Sequence, residues 1–281
     1  MNLLQEFEIA YGTTQGVRHK QTHKNNQDAY TFRKTQSRIV GVVSDGCGST
    51  PYAEVGSRLI AELVAECVIK KMSFDDIQTQ IISMMNQVSL SYHNPRQMLS
   101  GLFSATIVGF CLDQDYLTTF SFGDGIIIEN NLTTYHQEFE KNAPPYIVYK
   151  LIGSTMFDQS DLHFVIHSQT PIAEVQNCLV GTDGIADLIS SSQFQKPGKN
   201  ELVGDVSQFW SNDMFYHNDS YLQAYLCQLA TDVYKTNARL LSEIGQTGRL
   251  SDLNRVGELF QKYPGILPDD TTMVVLRRKK Q

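Results

Sequence analysis

Six short acidic motifs, most of them bordering an apolar run, constrain this chain more than any other feature. They read Asn26-Gln27-Asp28, Ser44-Asp45-Gly46, Gly123-Asp124-Gly125, Thr182-Asp183-Gly184, Ile185-Ala186-Asp187 and Pro268-Asp269-Asp270. The run Ile39-Val40-Gly41-Val42-Val43 leads into Asp45, and Cys178-Leu179-Val180-Gly181 leads into Asp183. Strand ends along one sheet edge can converge. Carboxylates that converge repel by roughly 4 kcal/mol per pair at ~4 Å and an effective dielectric of about 20. A hard divalent cation relieves that repulsion, and Mg²⁺ or Mn²⁺ suits oxygen ligands.

The order of elements narrows the fold class. Phe7 to Tyr11 alternates and is broken by Gly12 and Gly16; Ala29 to Phe32 is strand-like. Ile39 to Val43 has no polar side chain and reads as a strand covered on both faces. Apolar residues at helical spacing predict helices over Tyr52 to Lys71 and Phe74 to about Ser91, the second with Ser73 as N-cap and Asp75 and Asp76 in its first turn. Strands return over Gly101 to Leu112 and Tyr116 to Gly123 around the turn Asp113-Gln114-Asp115. Gly125 to Glu129 with Asn130-Asn131 is a second hairpin entry, and Leu162 to His167, Val175 to Gly181 and Thr272 to Leu276 are further strands. Glu201 to Tyr263 carries helical spacing at Tyr221, Tyr225, Leu226, Leu229 and Val233. Strands, two helices, strands, a helical segment and a strand imply an α+β layered domain, not alternating β-α-β units. With no repeat or linker in its 281 residues, the chain is expected to form one domain over residues 1–281.

Composition excludes several classes. Apolar residues make up 41% of the chain, enough for a full core, so wholesale disorder is not expected. A net charge of -7 argues against a nucleic-acid partner, and no run approaches the ~20 apolar residues of a membrane helix. Five cysteines, an odd number without a Cys-x-x-Cys pair, fit a reducing compartment, and the amino terminus lacks a secretory pattern. A cytoplasmic location is the expectation.

The motifs Asn26-Gln27-Asp28-Ala29, Val43-Ser44-Asp45-Gly46-Cys47-Gly48-Ser49, Gly101-Leu102-Phe103-Ser104-Ala105-Thr106, Phe122-Gly123-Asp124-Gly125, Gly181 to Asp187 and Asp269-Asp270-Thr271-Thr272 stand in one order along nearly the whole chain. In that order and context the chain resembles the PPM-type (type 2C) metal-dependent serine/threonine phosphatases, in a divergent bacterial-like branch. The resemblance implies a four-layer α-β-β-α sandwich with two central antiparallel sheets. It also implies hydrolysis of phosphoserine or phosphothreonine in proteins by a metal-activated water at a two-metal centre of Mn²⁺ or Mg²⁺. Carried over position by position, Asp45 would bridge the metals, the Gly46 carbonyl would be a ligand, and Asp183 and Asp269 would bind one metal. Asp28 would act largely through metal-bound water, and Asp124 and Asp187 match positions that hold a weaker third metal. The implied partner is a phosphorylated protein, a cognate serine/threonine kinase or its target. Many relatives carry an arginine where His23 stands; Arg18 and His19 are the nearby alternatives for gripping the phosphate. Gly125 and Ile126 replace the serine and arginine of a common Gly-Asp-Ser-Arg, Asp270 stands where asparagine is common, and Cys47 where histidine or methionine is frequent. Two other functions fit the same residues: a binding or regulatory module of this fold, and a phosphatase for a small phosphoester. The stretch Gln193 to Asn200 is expected to shape access to the site.

Overall fold

A computed structural model of the chain describes residues 2–137, 139–140, 143–236, 238, 241–242 and 260–280. The strands are β1 (Phe7–Thr14), β2 (Ala29–Lys34), β3 (Ile39–Ser44), β4 (Ile107–Leu112), β5 (Tyr116–Phe122), β6 (Ile126–Glu129), β7 (Leu132–His136), β8 (Val165–Pro171), β9 (Asn177–Gly181), β10 (Val233–Thr236), β11 (Phe260–Tyr263) and β12 (Thr271–Arg278). The helices are α1 (Leu3–Glu6), α2 (Val17–Gln21), α3 (Ala53–Ile69), α4 (Phe74–Ser89), α5 (Pro95–Phe103), α6 (Tyr149–Ile152), α7 (Gly184–Ser190), α8 (Gln208–Ser211), α9 (Met214–His217) and α10 (Tyr221–Leu229).

Two five-stranded sheets, ordered β1-β12-β9-β6-β7 and β2-β3-β4-β5-β8, carry the architecture, and their neighbouring strands all run antiparallel. The side-chain period of a strand explains why their centres are apolar on both faces. Along β3, Ile39 and Val43 face the other sheet, whereas Val40 and Val42 face α3, α4 and α5. Along β12, Val274 and Leu276 point between the sheets, and Met273 and Val275 point to α8, α9 and α10. Helices therefore cover both outer faces, and the result is the four-layer α-β-β-α sandwich. Among the described residues no helix is long and apolar enough to cross a membrane.

Local chemistry sets the element ends. Ser73 caps α4, its hydroxyl accepting from the Asp76 amide. Asn130 and Asn131, both at positive φ, make the tight turn between β6 and β7. The expected strand over Gly101 to Leu112 is corrected: Asn94 caps a helix with Pro95 in its first turn, which runs to Phe103, and the strand starts at Ile107. The helical spacing from Glu201 to Tyr263 is real over α8 to α10, but Val233 lies in β10, which pairs with β11; residues 237, 239–240 and 243–259 of that expectation lie outside the described residues.

Phe110 is fully buried between the sheets. Phe110→Ala is expected to destabilise the chain by about 3–5 kcal/mol, read as a lower urea midpoint with an unchanged slope; a loss under about 1 kcal/mol would contradict this packing.

Candidate metal centre

Each acidic motif lies just before or just after a strand or in the first turn of a helix. Asp45 follows β3, and the chain there stays paired with the segment before β4: Thr106 N–H donates to the Asp45 carbonyl (2.8 Å), and Gly46 bridges to Ala105. Gly46 has no room for a side chain, since a Cβ would lie 2.6 Å from the Gln27 carbonyl oxygen and 2.8 Å from the Ala53 methyl. Asp183 follows β9 and opens α7, yet its side chain caps no helix amide. It lines the same cleft as Asp45, whose carboxyl its charge pushes up. Asp269 precedes β12.

These residues wall a cleft of about 360 Å³, lined by Asp45, Gly46, Asp124, Asp183 and Asp269 together with Arg18 and His19. Asp28 lies behind this wall and is buried. Its Oδ2 accepts from the Thr182 hydroxyl (2.7 Å), which in turn accepts from the Thr272 amide (3.1 Å). Its Oδ1 is buried with no hydrogen-bond partner among the described residues.

Burial and crowding act in one direction on these acids. Burial, followed by the charge of Asp270, pushes Asp28 well above the usual carboxylate range. Burial and then the charges of Asp28, Asp183, Asp124 and Asp269 do the same to Asp45. Asp183 is raised by burial and by Asp269, and Asp187 by the same two causes, with Arg18 opposing. Asp124 is pushed up to about 7 by burial and Asp183. A buried carboxylate oxygen without a donor costs free energy, and no lysine or arginine is ion-paired to Asp28, Asp45, Asp183 or Asp269 among the described residues. An all-oxygen set of carboxylates and a main-chain carbonyl fits Mg²⁺ or Mn²⁺.

The remaining expected residues divide. Arg18 and His19 reach the cleft through α2, whose first amides donate to Leu267 O (2.9 Å, from Val17) and Pro268 O (3.0 Å, from Arg18). Gly16, just before α2, lies so close to Asp269 that a Cβ would sit 2.3 Å from its carbonyl carbon. His23 is exposed, at a φ of 57°, and is not among the cleft-lining residues. Gln193 to Asn200 forms a turn closed by the Gln195–Leu202 bridge, and none of its residues lines the cleft. Three contributors had no assigned role in the sequence. Thr182 and Thr272 orient Asp28. Tyr146, buried beside Cys47, forms part of the cleft wall, and only its place after Pro144-Pro145 marks it in the sequence. Asp270, noted only for its charge, accepts from the Gly16 amide (2.7 Å), the Gln27 amide (2.6 Å) and His19 Nδ1 (2.8 Å).

The family described as Protein phosphatase 2C matches residues 15–226. No curated protein sequence matches the chain. Among solved structures, the catalytic domain of the serine/threonine protein phosphatase PstP with two manganese ions is similar at 12% identity over 98% of this chain and 99% of that one, with a TM-score of 0.47. RsbX in complex with magnesium is similar at 13% identity over 98% and 96%, with a TM-score of 0.45. PppA, a regulatory component of T6SS in Pseudomonas aeruginosa, is similar at 15% identity over 97% and 98%, with a TM-score of 0.46.

A carboxyl whose folded pKa is raised keeps its proton where the unfolded chain has lost it, so stability falls as pH rises through that window. The metal-free protein is therefore expected to lose on the order of a few kcal/mol between an unfolded-state pKa of about 4 and the Asp124 value of about 7. Urea midpoints from pH 5 to 8 should fall without divalent ion and level off with millimolar Mn²⁺. A midpoint that rises with pH in the metal-free protein would contradict the raised values.

Proposed function

The chain belongs to the protein phosphatase 2C family, and on that premise we propose that it is a Mn²⁺- or Mg²⁺-dependent phosphatase acting on phosphoserine and phosphothreonine in proteins. The observation that carries the reading is the crowding of Asp45, Asp183 and Asp269 around one cleft, with Asp28 buried behind it and its Oδ1 without a hydrogen-bond partner among the described residues. Asp45, the Gly46 carbonyl, Asp183 and Asp269 would hold two ions, Asp28 would support them from behind, and Asp124 and Asp187 would serve a weaker third. Once bound, such ions supply charge that offsets the phosphoryl oxygens and lowers the pKa of a coordinated water.

The chain's own residues do the rest. Thr182 and Thr272 fix the Asp28 carboxylate, so it need not reorganise when a cation enters. Arg18, exposed at the cleft rim on α2, offers a guanidinium to the phosphoryl oxygens. None of the cleft-lining residues is arranged as a cysteine nucleophile with a following arginine, so direct attack by water at phosphorus is the fitting chemistry. The cleft is open and polar, which suits a side chain presented by a larger molecule. The implied partner is accordingly a phosphorylated protein, a cognate kinase or its target, and the catalytic unit spans residues 1–281.

Chelation with EDTA is expected to abolish hydrolysis of p-nitrophenyl phosphate, and Mn²⁺ to restore it. Asp45→Asn should lower kcat by at least ~10³-fold with an unchanged circular dichroism spectrum. Wild-type turnover by Asp45→Asn would remove Asp45 from the centre.

A further inference from the structure

We propose that a second pocket, sharing a wall with the metal cleft, takes the guanidinium of an arginine that flanks the phosphorylated residue of the substrate protein. The inference rests on the phosphatase reading above and adds a sequence preference to it.

The pocket encloses about 390 Å³ and is walled by Tyr135, Phe139, Pro145 and Phe157, with Asp161 and His163 also lining it. Two pairs of consecutive residues divide between it and the cleft. Asp124 lines the cleft and Gly123 the pocket; Pro144 lines the cleft and Pro145 the pocket. Consecutive Cα atoms are ~3.8 Å apart, and an extended peptide advances ~3.3–3.6 Å per residue. A substrate seated by its phosphate in the cleft therefore brings a residue about two to four positions away to the pocket.

The pocket's ring faces are held in place by the protein. The Tyr135 hydroxyl donates to the Gly123 carbonyl, and the Tyr135 ring stacks on His167 with centroids 4.0 Å apart. His167 Nε2 and the Ser121 hydroxyl share a hydrogen bond of 2.9 Å. Phe157 stands edge-on to Phe139 (6.2 Å between centroids) and stacks on Tyr149 (6.4 Å). Rings fixed in this way lose little freedom when a ligand arrives.

Charge selects the ligand. Asp161 is exposed, its Oδ2 accepts from the Asp158 amide (2.9 Å), and no cation is paired to it among the described residues. No lysine or arginine lines the pocket among the described residues, and burial pushes His167 below its ordinary pKa, so its ring adds no positive charge at neutral pH. Ring faces beside a carboxylate are complementary to a flat cation. Arginine fits better than lysine, because one planar guanidinium can stack on a ring and pair with a carboxylate at once.

The same chain fills this arrangement twice with its own arginines. Arg277 lies over the Tyr216 ring at 3.7 Å and pairs with Glu8 (2.7 Å) and Asp213 (2.8 Å). Arg278 lies over the Phe7 ring at 4.5 Å and pairs with Glu6 (2.8 Å). Tyr135, Phe157 and Asp161 offer the ring and the carboxylate to a guanidinium from outside.

The experiment compares kcat/KM of the full chain, in saturating Mn²⁺, on phosphoserine peptides that differ at one position. Arginine, lysine, phenylalanine, glutamate or alanine is placed in turn at each position within about four residues of the phosphoserine. The expected result is one register at which arginine exceeds alanine by ~10-fold, with lysine and phenylalanine gaining less and glutamate losing. Asp161→Asn and Phe157→Leu should each remove most of the arginine gain, while turnover of p-nitrophenyl phosphate, too small to reach the pocket, stays at the wild-type value. A gain that survives in Asp161→Asn, arginine no better than lysine or phenylalanine, or the absence of any preferred register would overturn the proposal and leave the phosphatase reading standing. Wild-type protein inactive on every peptide would overturn the proposal together with the reading of a protein substrate, and inactivity on p-nitrophenyl phosphate as well would overturn the phosphatase reading itself.

Discussion

Mutual repulsion among the carboxylates at one end of the sandwich is the constraint on which the rest of the structure turns. Asp28, Asp45, Asp183 and Asp269 come from four separate stretches of chain, and burial and proximity raise Asp28, Asp45 and Asp183. A chain that crowds acids in this way needs a rigid frame to hold them. Here the frame is two sheets whose central strands, β3, β9 and β12, are apolar on both faces. Their ends deliver Asp45, Asp183 and Asp269, Asp28 stands just before β2, and the interior packing that aligns the strands also sets the spacing of the charges.

Asp270 shows how a negative charge next to that cluster can be tolerated. It does not add to the cleft-lining set but is spent on three donors from the 16–27 segment. Through those bonds the two ends of the chain are joined: the loop and helix that follow β1 are tied to the residues that precede β12. The same contacts bring Arg18 and His19 to the cleft, so the supply of positive charge and the supply of carboxylates depend on one junction. Thr182 plays the matching part for Asp28, linking the end of β9 to the start of β12 by a hydroxyl that both donates and accepts.

Much of this was legible in the residues. Ile39 to Val43 reads as a doubly covered strand because no polar side chain interrupts it, and it is one. Ser73 and the paired asparagines at 130 and 131 announce a cap and a tight turn through local chemistry alone. Where partners are distant, the reading thins. Val233 continues the spacing of α10 but pairs with Tyr263, a contact that no local pattern encodes. Gly101 to Phe103 is as apolar as the strand after it, and only Asn94 and Pro95 upstream mark the helix. His23 was an expected phosphate grip, yet the backbone after α2 turns through a positive φ there and the side chain stays exposed. The second charge of Asp270 is visible in the sequence; the three donors that use it are not, because two of them are backbone amides.

The most direct test is anomalous diffraction from crystals of the protein soaked in Mn²⁺. Strong peaks are expected within coordination distance of Asp45 and the Gly46 carbonyl, with Asp183 and Asp269 completing the shell. Peaks absent from that cleft, or found only at surface carboxylates such as Glu62 and Asp205, would contradict it.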